Sequence, residues 1–304
     1  MRAILFHNPT AGPKALRKKD GILAALKLAD LKVNYVSTKS DDFEAGLKKA
    51  ADFFIVAGGD GTVRRVLTQM PKRKVPVAIL PFGTANNIAR SLGIGGTAHE
   101  LVESWQPQNT CRFDIGSVLG LEHNLLFTEA FGLGVIPSLL DFAAKEKKAE
   151  GAKNLRKGRE TLGEVVKRAK ATEIALKVDG VSFDVEIIGI EVLNIAYTGP
   201  GLPLAPGANP GDGLFQVVCI EPAQREAFGE WLKCPHKRPP PVTTRIGSKI
   251  EITWRDTFAR VDDRLFDETD GKQKVTIVGE KKYATIILPY AQFKSAPAVT
   301  AEAA

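Results

Sequence analysis

Cysteine is scarce in this 304-residue chain. Its three cysteines, Cys111, Cys219 and Cys234, are scattered and have no metal-ligand spacing. That excludes a cysteine zinc site and a disulfide framework, and suits reduced thiols in a cytosol. The four histidines, His7, His99, His123 and His236, show no ligand spacing either, so structural or surface roles are expected of them. No apolar run approaches the roughly 20 residues that cross a bilayer. The run that follows Met1 is too short for a signal peptide and reads as a first strand. Also missing are a Walker-type Gly-Lys-Ser/Thr loop and a Gly-x-Ser-x-Gly elbow. Chemistry here would depend on backbone amides, a cation and carboxylates.

Apolar residues make up 44% and charged residues 25%, the balance of a globular chain with one large domain or two ordinary ones. The first part alternates strand patterns, Ala3–Phe6, Val33–Val36, Phe53–Ala57 and Val77–Leu80, with helical ones, Ala15–Leu28, Phe43–Ala51, Val63–Met70 and Asn87–Leu92. That alternation predicts an N-terminal α/β domain on a parallel sheet, with ligands beyond the carboxyl ends of its strands. After Ser117 short strand patterns dominate: Glu173–Asp179, Ser182–Ile188, Val192–Tyr197, Leu214–Ile220, Lys249–Trp254, Lys274–Val278 and Tyr283–Leu288. They predict a β-rich, sandwich-like domain. The expected division is 1–117, 118–295 and a tail at 296–304, with the last strand able to return to the first domain.

Three turns carry the chemistry. Gly58-Gly59-Asp60-Gly61-Thr62 ends a strand and opens a helix. Glycines let a ligand approach the backbone, and the helix N-terminus offers free N–H groups to phosphate. Asp60 would repel bare phosphate, so it makes sense beside a cation such as Mg²⁺. Pro81-Phe82-Gly83-Thr84-Ala85-Asn86-Asn87-Ile88-Ala89-Arg90 repeats the design, and Asn8-Pro9-Thr10-Ala11-Gly12 follows the first strand. Together they predict one nucleotide-binding edge.

At these spacings the three strings resemble the signatures of the diacylglycerol kinase catalytic domain, the domain of the bacterial lipid kinases related to sphingosine and ceramide kinases. Phe113-Asp114-Ile115-Gly116 and Asn209-Pro210-Gly211-Asp212-Gly213-Leu214 match further family segments. The resemblance implies an ATP-dependent, Mg²⁺-using kinase acting on a lipid hydroxyl, most simply diacylglycerol. It implies ATP contacts from Asn8, Thr10, Gly58, Gly59, Asp60, Gly61, Thr62, Arg64 and Thr84, and from Thr38 or its neighbour Ser37. Asp60 and Asp114 would organise Mg-ATP. An accessory Mg²⁺ would sit on Asn209, Asp212 and the Leu214 carbonyl, with Asn209 where the family usually has aspartate. The catalytic base would be Asp262, in Val261-Asp262-Asp263-Arg264 where the family has Asp-Gly-Glu. Asp179-Gly180 comes too early for that role, and Asp270-Gly271 lies in a polar loop. Were Asp262 in an extended strand, Arg264 would project to its face and weaken it as a base.

The net charge is +7, and residues 143–170 hold ten Lys or Arg against four Glu. With Leu155, Leu162, Val165, Val166 and Ala169 at helical spacing, this segment reads as an amphipathic helix for an anionic membrane, and the expected location is cytoplasmic, peripheral at the inner membrane surface. Nucleic acid is not expected as a partner, and a homodimer is left open. Two rival readings remain. One is a soluble-substrate kinase of the NAD kinase type; the other is a nucleotide- or lipid-binding protein without turnover.

Overall fold

The computed structural model describes residues 1–12, 19–71, 75–123, 125–145, 154–268, 271–280 and 283–290. The start of the first expected helix, residues 146–153 of the basic stretch, Asp270 and the tail lie outside them. Contacts divide the chain into two units, Met1–Phe113 with the C-terminal segment, and Asp114–Lys281.

The first unit runs β1 (Arg2–His7), α1 (Lys19–Leu28), β2 (Lys32–Ser37), α2 (Phe43–Lys48), β3 (Phe53–Gly58), α3 (Asp60–Gln69), β4 (Val77–Pro81), α4 (Asn87–Ser91), α5 (Ala98–Ser104) and β5 (Trp105–Phe113). The second unit runs β6 (Gly116–Leu119), β7 (Leu125–Phe127), β8 (Ala130–Gly134), α6 (Val135–Lys145), α7 (Leu155–Arg168), β9 (Thr172–Val178), β10 (Val181–Ile187), β11 (Gly189–Leu193) and β12 (Phe215–Ile220). It continues with α8 (Arg225–Trp231), β13 (Thr243–Gly247), β14 (Lys249–Trp254), β15 (Ala259–Val261), β16 (Arg264–Phe266) and β17 (Gln273–Gly279). The last strand, β18 (Ala284–Pro289), belongs to the first unit's sheet, whose order is β2-β1-β3-β4-β18-β5.

In that sheet β1, β2, β3 and β4 are parallel. β3 is buried along its whole length, as a parallel strand covered on both faces must be, and it reads as an unbroken apolar run. β5 pairs antiparallel with β18. Its sequence, polar and holding Pro107, carries little strand signal, and it sits at the sheet edge, where proline is tolerated.

The second unit has two six-stranded antiparallel sheets, β10-β9-β14-β17-β6-β7 and β13-β12-β11-β8-β15-β16. Their facing sides share one core that includes Phe127, Phe131, Ile190, Phe215, Ile252 and Trp254. The opposite face of the second sheet buries Leu193, Val218 and Ile220 against residues of α6, α7 and α8. Leu162 and Val166 of α7 lie in that second core. The apolar stripe expected to meet a membrane is therefore spent on packing. Gly158 is needed inside the helix, because a Cβ there would come 2.9 Å from Cβ of Pro200. The charged face carries Arg156–Glu160 and Lys167–Glu164 pairs. Arg225 closes the helix by donating to the carbonyls of Val166 and Ala169 at 2.5 and 2.8 Å.

Two expected elements shift. The helix expected from Val63 begins at Asp60, directly after the glycines. The strand expected over Val192–Tyr197 ends at Leu193, and Asn194 makes one last bond across to the segment before β8. Its backbone N–H donates to the Glu129 carbonyl and its side chain to the carbonyls of Asp114 and Thr128.

Candidate active site

In the first unit, β1, β3 and β4 are neighbours, so their three C-terminal turns meet. The Asn8 amide donates to Thr62 Oγ1 at 3.2 Å and accepts from the backbone and hydroxyl of Thr10 at 3.1 and 2.8 Å. A Cβ on Gly83 would lie 2.5 Å from Cα of Gly59, and one on Gly12, whose φ is +67°, would lie 1.7 Å from the Phe82 carbonyl oxygen. Side chains at these glycines would force the turns apart. Gly58 and Gly59 thus permit an edge where α3 begins, at which the Thr62 and Val63 amides already turn back to the Gly59 carbonyl at 2.9 and 3.1 Å, while the N–H groups of Asp60 and Gly61 precede any helical acceptor.

Asp60 is half-buried, and its Oδ1 accepts the Ile88 backbone N–H at 3.0 Å, which ties α3 to the start of α4. Asn86 sits in the left-handed region at φ +50° and knits the β4 turn through Gly83 N–H and the Pro81 and Gly83 carbonyls. Asn86 makes no side-chain capping bond to α4; it shapes the turn, in which Thr84 is exposed. Thr38 is buried, and its carbonyl accepts from Arg65 at 2.6 Å. Arg64 is partly exposed on α3. His7, at the end of β1, is buried with Nδ1 3.2 Å from the Tyr35 hydroxyl. Burial, with Lys19 adding to it, holds its pKa below the ordinary histidine value.

In the second unit, Asp114 is buried. Its Oδ2 accepts from Gly213 N–H at 2.7 Å and its own N–H donates to the Pro210 carbonyl at 2.5 Å. Asp114 thereby pins the 209–214 turn. Asn209 and Asp212 are exposed there, each giving a side-chain oxygen to a backbone N–H two residues on. Asp212 retains its second oxygen. One carboxylate, one amide and one carbonyl suit a hard cation in kind but carry a single formal charge. Among the described residues no group of three or more His, Cys, Asp or Glu could hold a metal.

Asp262 occupies a two-residue turn between β15 and β16 with φ +52°. Its Oδ1 accepts from the Glu129 and Ala130 amides at 2.8 and 3.0 Å. Its Oδ2 accepts from the Thr128 amide and hydroxyl at 2.9 and 3.1 Å. These donors use roughly the four acceptor positions of a carboxylate. Arg264 is not beside it, contrary to the extended-strand expectation: the turn breaks the alternation, and Arg264 pairs with Glu122 at 2.5 Å. The rival Asp179 accepts from Ser248 and Lys249 at a hairpin end.

The cation near Asp262 is Arg260. It donates to the Asp262 carbonyl at 2.7 Å and the Thr198 hydroxyl at 2.6 Å, and forms a buried pair with Glu191. Glu191 and Arg260 both lie opposite Gly132, on either side of β8. Burial pushes the Glu191 carboxyl up, and Arg260 opposes that shift. Sequence reading missed this network. Its signal was a lone Glu inside the apolar run Ile188–Leu193, since a buried charge demands a partner.

Residues 2–118 match the family described as the diacylglycerol kinase catalytic domain. Residues 147–287 match the YegS C-terminal NAD kinase beta sandwich-like domain. Among curated relatives, a diacylglycerol kinase of Staphylococcus haemolyticus is 23% identical over 94% of this chain and 88% of its own. One of Bacillus subtilis is 28% identical over 75% of this chain and 76% of its own. The crystal structure of a diacylglycerol kinase from Bacillus anthracis superposes with TM-score 0.66 at 19% identity, covering 94% of this chain and 96% of that one. An NAD kinase from Archaeoglobus fulgidus, solved in complex with ATP, gives 0.53 at 19%, covering 97% and 96%. At these identities the structures speak for the fold alone.

Proposed function

We propose that this chain, whose residues 2–118 match the diacylglycerol kinase catalytic domain, is an ATP-dependent kinase that phosphorylates a lipid hydroxyl, with diacylglycerol as the acceptor. The observation that carries the reading is the close-packed edge of three glycine turns in the first unit, joined by the Asn8–Thr62 and Asp60–Ile88 bonds. Amides at the start of α3, with Thr10 and Thr84, would cradle the phosphates, and Thr38 would flank the adenosine. Mg²⁺, when bound, would neutralise phosphate charge, held through Asp60. Asn209, Asp212 and the Leu214 carbonyl would offer a weaker accessory position.

Phosphoryl transfer needs positioning and charge neutralisation more than covalent help. The acceptor oxygen bonds to the γ-phosphorus, the bond to the β–γ bridging oxygen breaks, and the hydroxyl proton passes to a carboxylate. We assign that carboxylate to Asp262. Three of its donors are backbone amides; the fourth is the rotatable Thr128 hydroxyl. Turning that hydroxyl away gives Oδ2 a lone pair for the acceptor O–H. Among the described residues no helix is long and apolar enough to cross a membrane, so a lipid acceptor would be met at a surface. With the apolar face of α7 buried, attraction to anionic lipid would rest on the basic residues alone.

A direct test is titration with ATP in the presence and absence of Mg²⁺, followed by incubation with diacylglycerol in mixed micelles. Mg²⁺-dependent ATP binding and formation of phosphatidic acid are expected. ATP binding with no phosphorylated lipid would sink the reading in favour of a binding protein.

A further inference from the structure

The Glu191–Arg260 pair is an expensive feature to build. Two opposite charges lie inside the second unit, with side chains 1% and 4% exposed. Desolvation of such a pair commonly cancels its attraction, and apolar replacements of like volume often leave a fold equally stable. The fold is shaped around it nonetheless. The three strands β11, β8 and β15 place Glu191, Gly132 and Arg260 in one row. Gly132 is the middle residue, and a Cβ there would stand 2.0 Å from Glu191 Oε1. The pair thus crosses a strand through a gap that only glycine leaves open.

The direction of the row matters. Arg260 reaches two residues along the chain to the turn that holds Asp262, and its third hydrogen bond goes to that residue's carbonyl. Thr198, its fourth contact, fixes the guanidinium from the segment that follows β11. The Asp262 carboxylate in turn gathers the Thr128, Glu129 and Ala130 amides at the start of β8. Glu191 orients Arg260, Arg260 holds the backbone of the turn, and the turn aims the carboxylate.

We propose that Arg260, locked by Glu191 across Gly132, is a positioning residue that holds the Asp262 turn in its reactive orientation rather than a contributor to net stability. The proposal rests on the assignment of Asp262 as the proton acceptor. Arg260 itself touches no substrate. A planar guanidinium with donors in a fixed fork can serve Glu191, Thr198 and the Asp262 carbonyl together; a lysine ammonium cannot match that geometry.

The test compares Arg260→Met, Arg260→Lys and the double variant Arg260→Met/Glu191→Leu with wild type. Melting temperature, kcat, KM for ATP and hydrogen exchange of the Thr128, Glu129 and Ala130 amides are measured. Arg260→Met alone should melt lower, because it strands the Glu191 charge. The double variant should melt near wild type, yet keep kcat depressed by on the order of a hundredfold, the scale of a misplaced catalytic group. KM for ATP should not move, and the three amides should exchange faster. Arg260→Lys should retain the fold and show the same kinetic split in weaker form. Should the double variant fail to fold, Arg260→Lys carries the comparison. A kcat that recovers in step with melting temperature, or unchanged exchange of the three amides, would overturn the positioning role. A wild-type protein that phosphorylates no hydroxyl would instead overturn the function proposed above, and the exchange measurement would still judge the turn.

Discussion

Gly132→Ala should be among the costliest single-atom additions to this protein. The new Cβ would fall 2.0 Å from Glu191 Oε1 and 2.6 Å from its Cδ, where ordinary contact begins near 3.4 Å. The carboxylate must retreat by about 1.4 Å from Oε1's place, taken as 3.4 minus 2.0. A glutamate tip is usually free to move, but this one is buried and bound to Arg260. Its retreat breaks a buried pair, which costs about 3–5 kcal/mol. For a domain of this size that lowers Tm by roughly 6–20 °C. Gly163→Ala is the control. It lies within α7 with nothing within 4 Å of its Cβ, so gaining alanine there should stabilise by up to about 1 kcal/mol. Differential scanning calorimetry on both variants decides the matter. A Gly132→Ala protein melting within about 2 °C of wild type would refute the reasoning, since the pair would then have room to adjust.

Asp60→Asn keeps an oxygen for the Ile88 amide but loses the charge, so Tm should hold while phosphoryl transfer falls by about a hundredfold or more, a scale set by electrostatic stabilisation; equal turnover would remove Asp60 from the mechanism. Thr128→Val deletes a rotatable donor to Asp262 and should cost about 1 kcal/mol of stability with kcat within about threefold of wild type; a far larger fall in kcat would mean the hydroxyl does more than yield its place. His7 has a folded pKa below its ordinary 6.5, so the unfolded chain takes up the proton first. Stability should therefore be full above 6.5 and decline as pH falls below it toward the folded pKa. Denaturant midpoints at about pH 7.5 and 5.5 should differ less in His7→Phe, and an unaltered difference would show that other groups govern the acid limb. Binding to anionic vesicles should weaken with salt and with Lys167, Arg168 and Lys170 reversed to Glu; equal binding to neutral vesicles would rule out the electrostatic contact.

The α/β unit could be read from the chain because its signals are local. β1, β3 and β4 are short apolar runs and β2 an alternating one, each ended by a glycine or polar turn with a helix after it. The polar β5 and the Ala-Phe-Gly-Leu-Gly of β8 escaped notice, since neither alternates nor holds a strand-forming majority. α7 shows its amphipathic period plainly, but a stripe of Leu162 and Val166 looks the same whether it faces lipid or α6 and α8. The glycine turns were visible as strings, while their mutual contact, Gly59 against Gly83, depends on strand order. Least visible was the setting of Asp262. Its donors lie over a hundred positions away, and its partner Arg260 meets a glutamate on another strand. The two-residue alternation rule pointed to Arg264 instead, and it failed because Asp262 sits in the hairpin turn itself.

The most direct measurement is transfer of labelled γ-phosphate from ATP, with Mg²⁺, to a panel of diacylglycerol, ceramide, sphingosine, phosphatidylglycerol and NAD. The account predicts label in diacylglycerol, its loss on omitting Mg²⁺, and its near-absence with Asp60→Asn. Label in NAD, or in no acceptor at all while ATP still binds, would contradict it.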